Sequence, residues 1–253
     1  LHTVQVDSDG LVACASVGYE PGSARWWIQR SDLERRRRPR LGGLSTERII
    51  GAALDVLRED GLDALTVRAV AERLGTSNAS LYRHIASRDE LIALIGDHVM
   101  GDIRIGRTGR GWRADIEVLM SEMRRVILNQ PLPDAAGRNM HGYGPNMLRF
   151  VNAAVTAFDS AGLPRAEAVY TTIAMIELVA GAATIQRSRS GRSPSGVPAG
   201  AGFDELLDRL PPDDVAALRE TGDVYLSAPV DAVFAHSMAI FLDGVTSRLP
   251  AGH

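Results

Sequence analysis

Three features predict an all-α chain. Apolar residues recur at helical spacing through most of residues 45–249, and Ser or Thr stands just ahead of several of these runs. Gly or Pro closes most of them. Strand character is confined to the region before residue 40, where Val4, Val6, Val12, Val17 and the Trp26-Trp27-Ile28 triplet stand among the turn signals Asp9-Gly10 and Pro21-Gly22. The expected architecture is a three-helix, helix-turn-helix head followed by a larger helical domain. A short irregular or β-containing extension precedes the head. The domain boundaries expected are 1–44, 45–90 and 91–253, and 253 residues are enough for the last of these to bury its own core.

Taken in order, Arg35-Arg36-Arg37-Arg38-Pro39-Arg40 is a basic run stopped by Pro39 and Gly42-Gly43. It reads as a linker, or as an arm along the DNA backbone or minor groove. Ser45 to Asp60 is an amphipathic helix with Ile49, Ile50, Ala53, Leu54 and Leu57 inward, ended by Gly61. Thr66 caps a second helix whose buried face is Val67, Val70, Ala71 and Leu74, and Gly75 ends it. Ser77 caps a third, Asn78 to His84, pinned by Leu81 and Ile85. Ser87 with Glu90 makes a capping box for a longer helix expected to reach about Ile105. Trp112 to Asn129, Asn146 to Ala161, Arg165 to Gln186 and Val230 to Leu249 follow as helices, with short helical pieces at 203–210 and 213–220. The Ser/Gly/Pro/Arg-rich stretch 187–202 reads as a loop.

Helix, glycine turn and a second helix with small polar side chains in its first turn are how a helix-turn-helix meets base edges. Asn78 can bond an adenine edge bidentately, Ser80 can donate or accept, and Ala79 offers a methyl to thymine. The ordered set Thr66, Arg68, Ala71-Glu72-Arg73-Leu74-Gly75, Ser77, Leu81-Tyr82-Arg83-His84 and Arg88-Asp89-Glu90-Leu91 resembles the DNA-binding domain of the TetR family of bacterial repressors. The resemblance implies phosphate contacts from Thr66, Tyr82 and Arg88 and a base contact from Arg68. Ser77 completes the DNA-facing set. His84 is included in it, though packing beside Tyr82 is its commoner use. Separately, Arg25-Trp26-Trp27-Ile28-Gln29-Arg30-Ser31-Asp32-Leu33-Glu34 resembles the closing wing and helix start of excisionase-like, MerR-related winged helices, without the helix-turn-helix that should precede it.

Charge follows the same division. Residues 1–113 hold 17 Arg and 15 acids, whereas 114–253 hold 11 Arg and 16 acids, so the head is the basic end. The chain has no lysine, so charged phosphate contacts fall to Arg. Cys14 is the single cysteine, which rules out an intramolecular disulfide. No signal-peptide pattern is read at the start, and the longest apolar tract, Ile173 to Ile185, is broken by Glu177 and reads as a buried helix. A cytoplasmic location fits. No nucleophile elbow, phosphate loop, paired carboxylates or metal spacing stands out, so neither catalysis, nor a cofactor, nor a metal is expected.

Residues 112–186 resemble the tetracycline-repressor subtype of C-terminal domain: a Trp at a helix start, Gly-Pro before the next helix and an Ala-Gly-Leu-Pro turn. That resemblance implies a homodimer built on the last two long helices, a palindromic operator and a small-molecule effector. Arg104 stands where a drug-contacting His is expected, and only His141 lies near another, so tetracycline–Mg²⁺ is not the expected ligand. The expected cavity is apolar, lined by Met100, Ile103, Met120, Met123, Met147, Phe150, Met175 and Phe158, with Arg104, His141 and Asn146 to orient a polar group. The function expected is a repressor released from DNA by an apolar or amphipathic ligand. The alternative is a ligand-independent co-regulator or architectural DNA-binding protein.

Overall fold

A computed structural model describes residues 19–36, 43–130, 144–190 and 200–250. Among them all regular structure is helical: α1 (Ala24–Arg36), α2 (Thr46–Asp60), α3 (Val67–Arg73), α4 (Asn78–Tyr82), α5 (Arg88–Met100), α6 (Trp112–Asn129), α7 (Pro145–Ser160), α8 (Arg165–Ser190), α9 (Phe203–Asp208), α10 (Pro212–Ser227) and α11 (Val230–Thr246). The expected helical head and larger helical region are both present. The chain forms two compact units, one of residues up to 106 with 125–155, the other of 107–124 with 156 onward.

In the first unit the caps are those the sequence announces. Ser45, Thr66, Ser77 and Ser87 each accept a backbone N–H three residues on, from Arg48, Ala69, Ser80 and Glu90. Each hydroxyl thus satisfies one of the N–H groups that a helix start leaves unpaired. α2 packs on α3 and α5, and α3 on α4. Ile49, Ala53, Leu65, Val70, Leu81, Ile85, Leu91 and Ile95 supply a fully buried core. Arg73 on α3 makes a two-pronged ion pair with Glu59 on α2, and this pairing holds the Glu59 carboxyl below its usual range.

Three expectations in this unit are corrected. The Trp26-Trp27-Ile28 triplet lies inside helix α1, not in a strand, so the wing-like strand is absent from residues 25–28. Tertiary contacts override β propensity there: the Trp26 indole N–H donates to Glu90 at 3.0 Å, and Arg30 donates to the His84 carbonyl and the Thr46 hydroxyl, both at 3.2 Å. Helix α4 stops at Tyr82, before His84. Helix α5 stops at Met100 instead of continuing to Ile105. The turn that follows is held from outside, since the Asp102 carbonyl accepts from Arg125 at 2.9 Å and its carboxylate accepts from Gln130 at 2.9 Å. The run 37–42 and the segment 131–143, with His141, lie outside the described residues.

α5 also fixes α7. One oxygen of the Asp97 carboxylate accepts the backbone N–H of Asn146 at 3.0 Å and of Met147 at 3.1 Å, so Asp97 caps a helix distant in sequence. Its other oxygen accepts from the Asn146 amide at 3.2 Å. A Cβ on Gly144 would fall 2.1 Å from that carboxylate, which leaves glycine as the only residue that fits before Pro145.

In the second unit α8 runs to Ser190, four residues further than expected, and α10 extends to Ser227 as one helix. The close approach of Phe203 to Gly222, 3.0 Å from where a Cβ would stand, explains why α10 lies tight against α9. Ala168, Thr172, Met175, Val179 and Ala183 form a buried stripe on α8, and α11 packs on this helix. Phe158 contacts both Trp112 and Phe241. Arg113 on α6 pairs with Asp243, and Arg124 with Asp231, both on α11. A 23-residue stretch of α8, Arg165–Arg187, is long and apolar enough to cross a membrane by length and composition, beyond the shorter tract read in the sequence. Its buried stripe gives that apolarity another use.

Burial pushes the Asp97 carboxyl above the ordinary aspartate range, against the bonds from Met147 and Asn146 that pull it down. The folded state then holds its proton to higher pH than the unfolded chain. This contribution to stability is present below the unfolded value and is lost as pH rises through the folded one. Asp97→Asn removes that slope. Melting temperatures measured from acid to neutral pH are expected to show the wild type losing ground to Asp97→Asn as pH rises; parallel curves would refute the shift.

Candidate nucleic-acid interface

The candidate interface is built by α3, its turn and α4. Gly75 takes a left-handed φ of 62°, which lets the chain reverse between the two helices. The Gly75 N–H donates back to Glu72 and the Thr76 N–H to Ala71, closing the end of α3. Leu81 and Ile85 anchor one side of α4 in the core. Asn78, Ala79 and Tyr82, one helical turn apart, are exposed on the other, with Tyr82 51% accessible despite its aromatic ring. An exposed tyrosine beside an exposed asparagine on a rigidly seated helix suits a surface awaiting a partner.

The structure divides the candidate DNA contacts by how they are engaged. Thr66 and Ser77 are exposed, and their hydroxyls cap α3 and α4. The Ser77 hydroxyl also donates to that of Ser80 at 3.0 Å, and Arg83 donates to Ser80 at 3.1 Å. Arg68 is 78% exposed and hydrogen-bonded to Glu72 one turn on, which raises its pKa further. An exposed pair of this kind is weak enough to exchange for a stronger anion. Arg88 is different. Its guanidinium donates to the carbonyls of Leu65 and Leu62, both at 2.8 Å, so it clamps the turn that leads into α3. His84 is half-buried, and its carbonyl receives Arg30 from α1.

Sequence reasoning missed that α1 belongs to this head. Glu90 is only 8% exposed; it accepts the Trp26 indole N–H on one oxygen and the Ala86 N–H, at 2.8 Å, on the other. The expected capping box therefore serves α1 as well as α5. The signal available was the spacing of Trp26, Arg30 and Leu33, which is helical. The expected ligand-lining residues lie in separate units. Met100, Ile103, Met147 and Phe150 are buried in the first, and Met120, Met123, Phe158 and Met175 in the second. Arg104 is exposed, and the Asn146 amide is committed to Asp97.

A short helix with a polar exposed face, seated over a glycine turn on two supporting helices, defines the helix-turn-helix class of DNA-binding proteins. Comparison with known proteins agrees. Residues 49–95 match the family described as bacterial regulatory proteins, tetR family, and residues 105–249 match the tetracyclin repressor-like C-terminal domain. The chain belongs to the TetR family. It is 33% identical over 144 residues to an HTH-type transcriptional regulator of Saccharopolyspora erythraea, covering 56% of this chain and 61% of that relative. It is 26% identical over 211 residues to the class A tetracycline repressor from transposon 1721 of Escherichia coli, covering 81% and 92%. The chain thus spans about three-fifths of the Saccharopolyspora relative's length. The crystal structure of ActR from Streptomyces coelicolor in complex with actinorhodin superposes with a TM-score of 0.72 at 28% identity, covering 83% of this chain and 99% of that one.

The contrast between Arg88 and Tyr82 is testable. Arg88→Ala is expected to lower folding stability by about 1–2 kcal/mol, the scale of losing hydrogen bonds from a charged group. Tyr82→Ala is expected to stay within about 0.5 kcal/mol, as for an exposed residue, while weakening DNA binding. Urea unfolding and DNA-binding isotherms on both variants check this; equal stability losses would contradict the division.

Proposed function

We propose that this protein is a homodimeric transcriptional repressor that binds a palindromic operator and leaves it when a small apolar or amphipathic molecule binds. The observation that carries the reading is the exposed Asn78–Ala79–Tyr82 face of α4, held over a capped helix-turn-helix in a chain of the TetR family. Asn78 and Ser80 read base edges, Ala79 meets thymine methyls, and Thr66, Ser77, Tyr82 and Arg68 lie along the backbone and groove edge. Arg88, exposed beside them, and His84 complete the DNA-facing set, Arg88 while also bracing the turn into α3. The role is regulatory, in the cytoplasm, and not catalytic.

Dimerisation is supported by apolar surface on the two late helices. On α8, Val169, Tyr170, Ile173 and Ile185 are exposed, and on α11 so are Val230, Val233 and Ile240. Covering them with a second copy gives the two-sided apolarity of α8 a physical reason. A small-molecule effector is supported by the ActR–actinorhodin complex and by the methionine-rich buried surface within each unit. Release would run through α5, which starts beside the recognition helix and carries Asp97, the cap of α7. A shift of α7 then moves α5 and, with it, the head. By linkage the effector weakens operator binding by the same factor that the operator weakens effector binding.

The test is a band-shift titration on the DNA upstream of the protein's own gene, with random-sequence DNA as competitor. Saturable binding is expected to resist the competitor and to fall when Asn78 or Tyr82 is changed to Ala. The affinity is expected to fall steeply with salt, as several phosphate contacts require. A planar aromatic compound of the actinorhodin type is expected to release the complex. Equal displacement by random DNA would overturn the specific-reader claim, and release by none of a panel of such compounds would overturn the effector claim.

A further inference from the structure

α1 does more than brace the head. Between α1, the start of α2, the end of α5 and the start of α7 lies a cleft of about 730 Å³, wholly within the first unit. That volume falls within the range of small-molecule sites. Its apolar lining includes Trp27, Ile50, Leu94 and Leu148. Trp27 is fixed in place: it meets Trp26 edge-on with centroids 4.7 Å apart, and Trp26 is tied to Glu90. The site is therefore formed before any ligand arrives, which lowers the ordering cost of binding.

The charges around this cleft are unevenly committed. Arg30 is engaged by the His84 carbonyl, the Thr46 hydroxyl, Glu34 and the Trp26 ring, and Arg35 pairs with Asp32. Glu47, by contrast, is exposed on the cleft and has no hydrogen-bond or ion-pair partner among the described residues. Glu34, nearly half exposed, lies on the same cleft, with one oxygen shared by Arg30 and the Thr46 hydroxyl; Asp97, used by Asn146 and Met147, and His98 also line it. An indole beside the unpaired Glu47 carboxylate attracts a delocalised cation and disfavours an anion.

We propose that this cleft binds a planar aromatic cation, stacked on Trp27 with its charge toward Glu47 and Glu34. The site is distinct from an effector cavity in the methionine-rich core, and its occupant touches α5 at Leu94 and α7 at Leu148, on either side of the Asp97 cap. The binding claim stands without the DNA-binding reading; only its consequence for operator release rests on that reading.

The test uses the full chain without DNA and ethidium as the probe, read by its fluorescence increase on leaving water. Saturable binding at one site per chain is expected. Glu47→Gln and Trp27→Ala should each weaken it about tenfold or more, equivalent to about 1.4 kcal/mol. The anion 1-anilinonaphthalene-8-sulfonate should not compete. Glu47→Gln alters an exposed side chain, so it keeps the test valid if Trp27→Ala melts early by circular dichroism. No saturable binding, ethidium affinity unchanged in Glu47→Gln, or equal competition by the anion would overturn the proposal. Failure of the operator band shift with ethidium binding intact would sink the repressor reading alone.

Discussion

The head depends on one buried carboxylate. Glu90 sits in the first turn of α5, where a negative charge is favoured by the helix dipole, and its two oxygens are used in different directions. One takes the Ala86 N–H just ahead of the helix, and the other takes the Trp26 indole from α1. A carboxylate at 8% exposure is tolerable only because it is hydrogen-bonded on both oxygens. Through it the turn after α4, the start of α5 and α1 are held together. Arg30 repeats the arrangement one turn along α1, joining the His84 carbonyl to Thr46 at the start of α2.

At its other end α5 meets a second carboxylate with a second task. Asp97 serves as the N-terminal cap of α7, so the loop ahead of α7 needs no capping side chain of its own, and Gly144 leaves the space for it. α5 therefore carries an anchored acid at each end, one bonded to α1 and to the Ala86 N–H, the other to the start of α7. Neither contact can slide without leaving buried polar groups unpaired, so the two ends of α5 are held to their neighbours.

What was legible in the sequence was mostly local. The four hydroxyl caps, Gly75 and the inward faces of α2 and α3 follow from spacing and from backbone chemistry confined to a few residues. The exposed face of α4 followed in turn, because Leu81 and Ile85 leave only one side for Asn78, Ala79 and Tyr82. The misreadings share a cause: partners distant in sequence. Trp26-Trp27-Ile28 has strand propensity, yet it lies in a helix docked by Trp26 on Glu90 and by Arg30 on His84 and Thr46. Ile103 continues the apolar period of α5 and is buried, yet Arg125 and Gln130 hold the adjacent Asp102 in a turn. Distant partners also give Arg88 a use that spacing does not show, since its guanidinium donates to the carbonyls of Leu62 and Leu65.

The central claim is that two such heads read DNA as a symmetric pair, and selection of bound sequences from a random DNA pool addresses it most directly. An enriched palindrome is expected, with half-sites about one helical turn apart or a close variant. Enrichment of a single unrepeated half-site, or no enrichment at all, would contradict it.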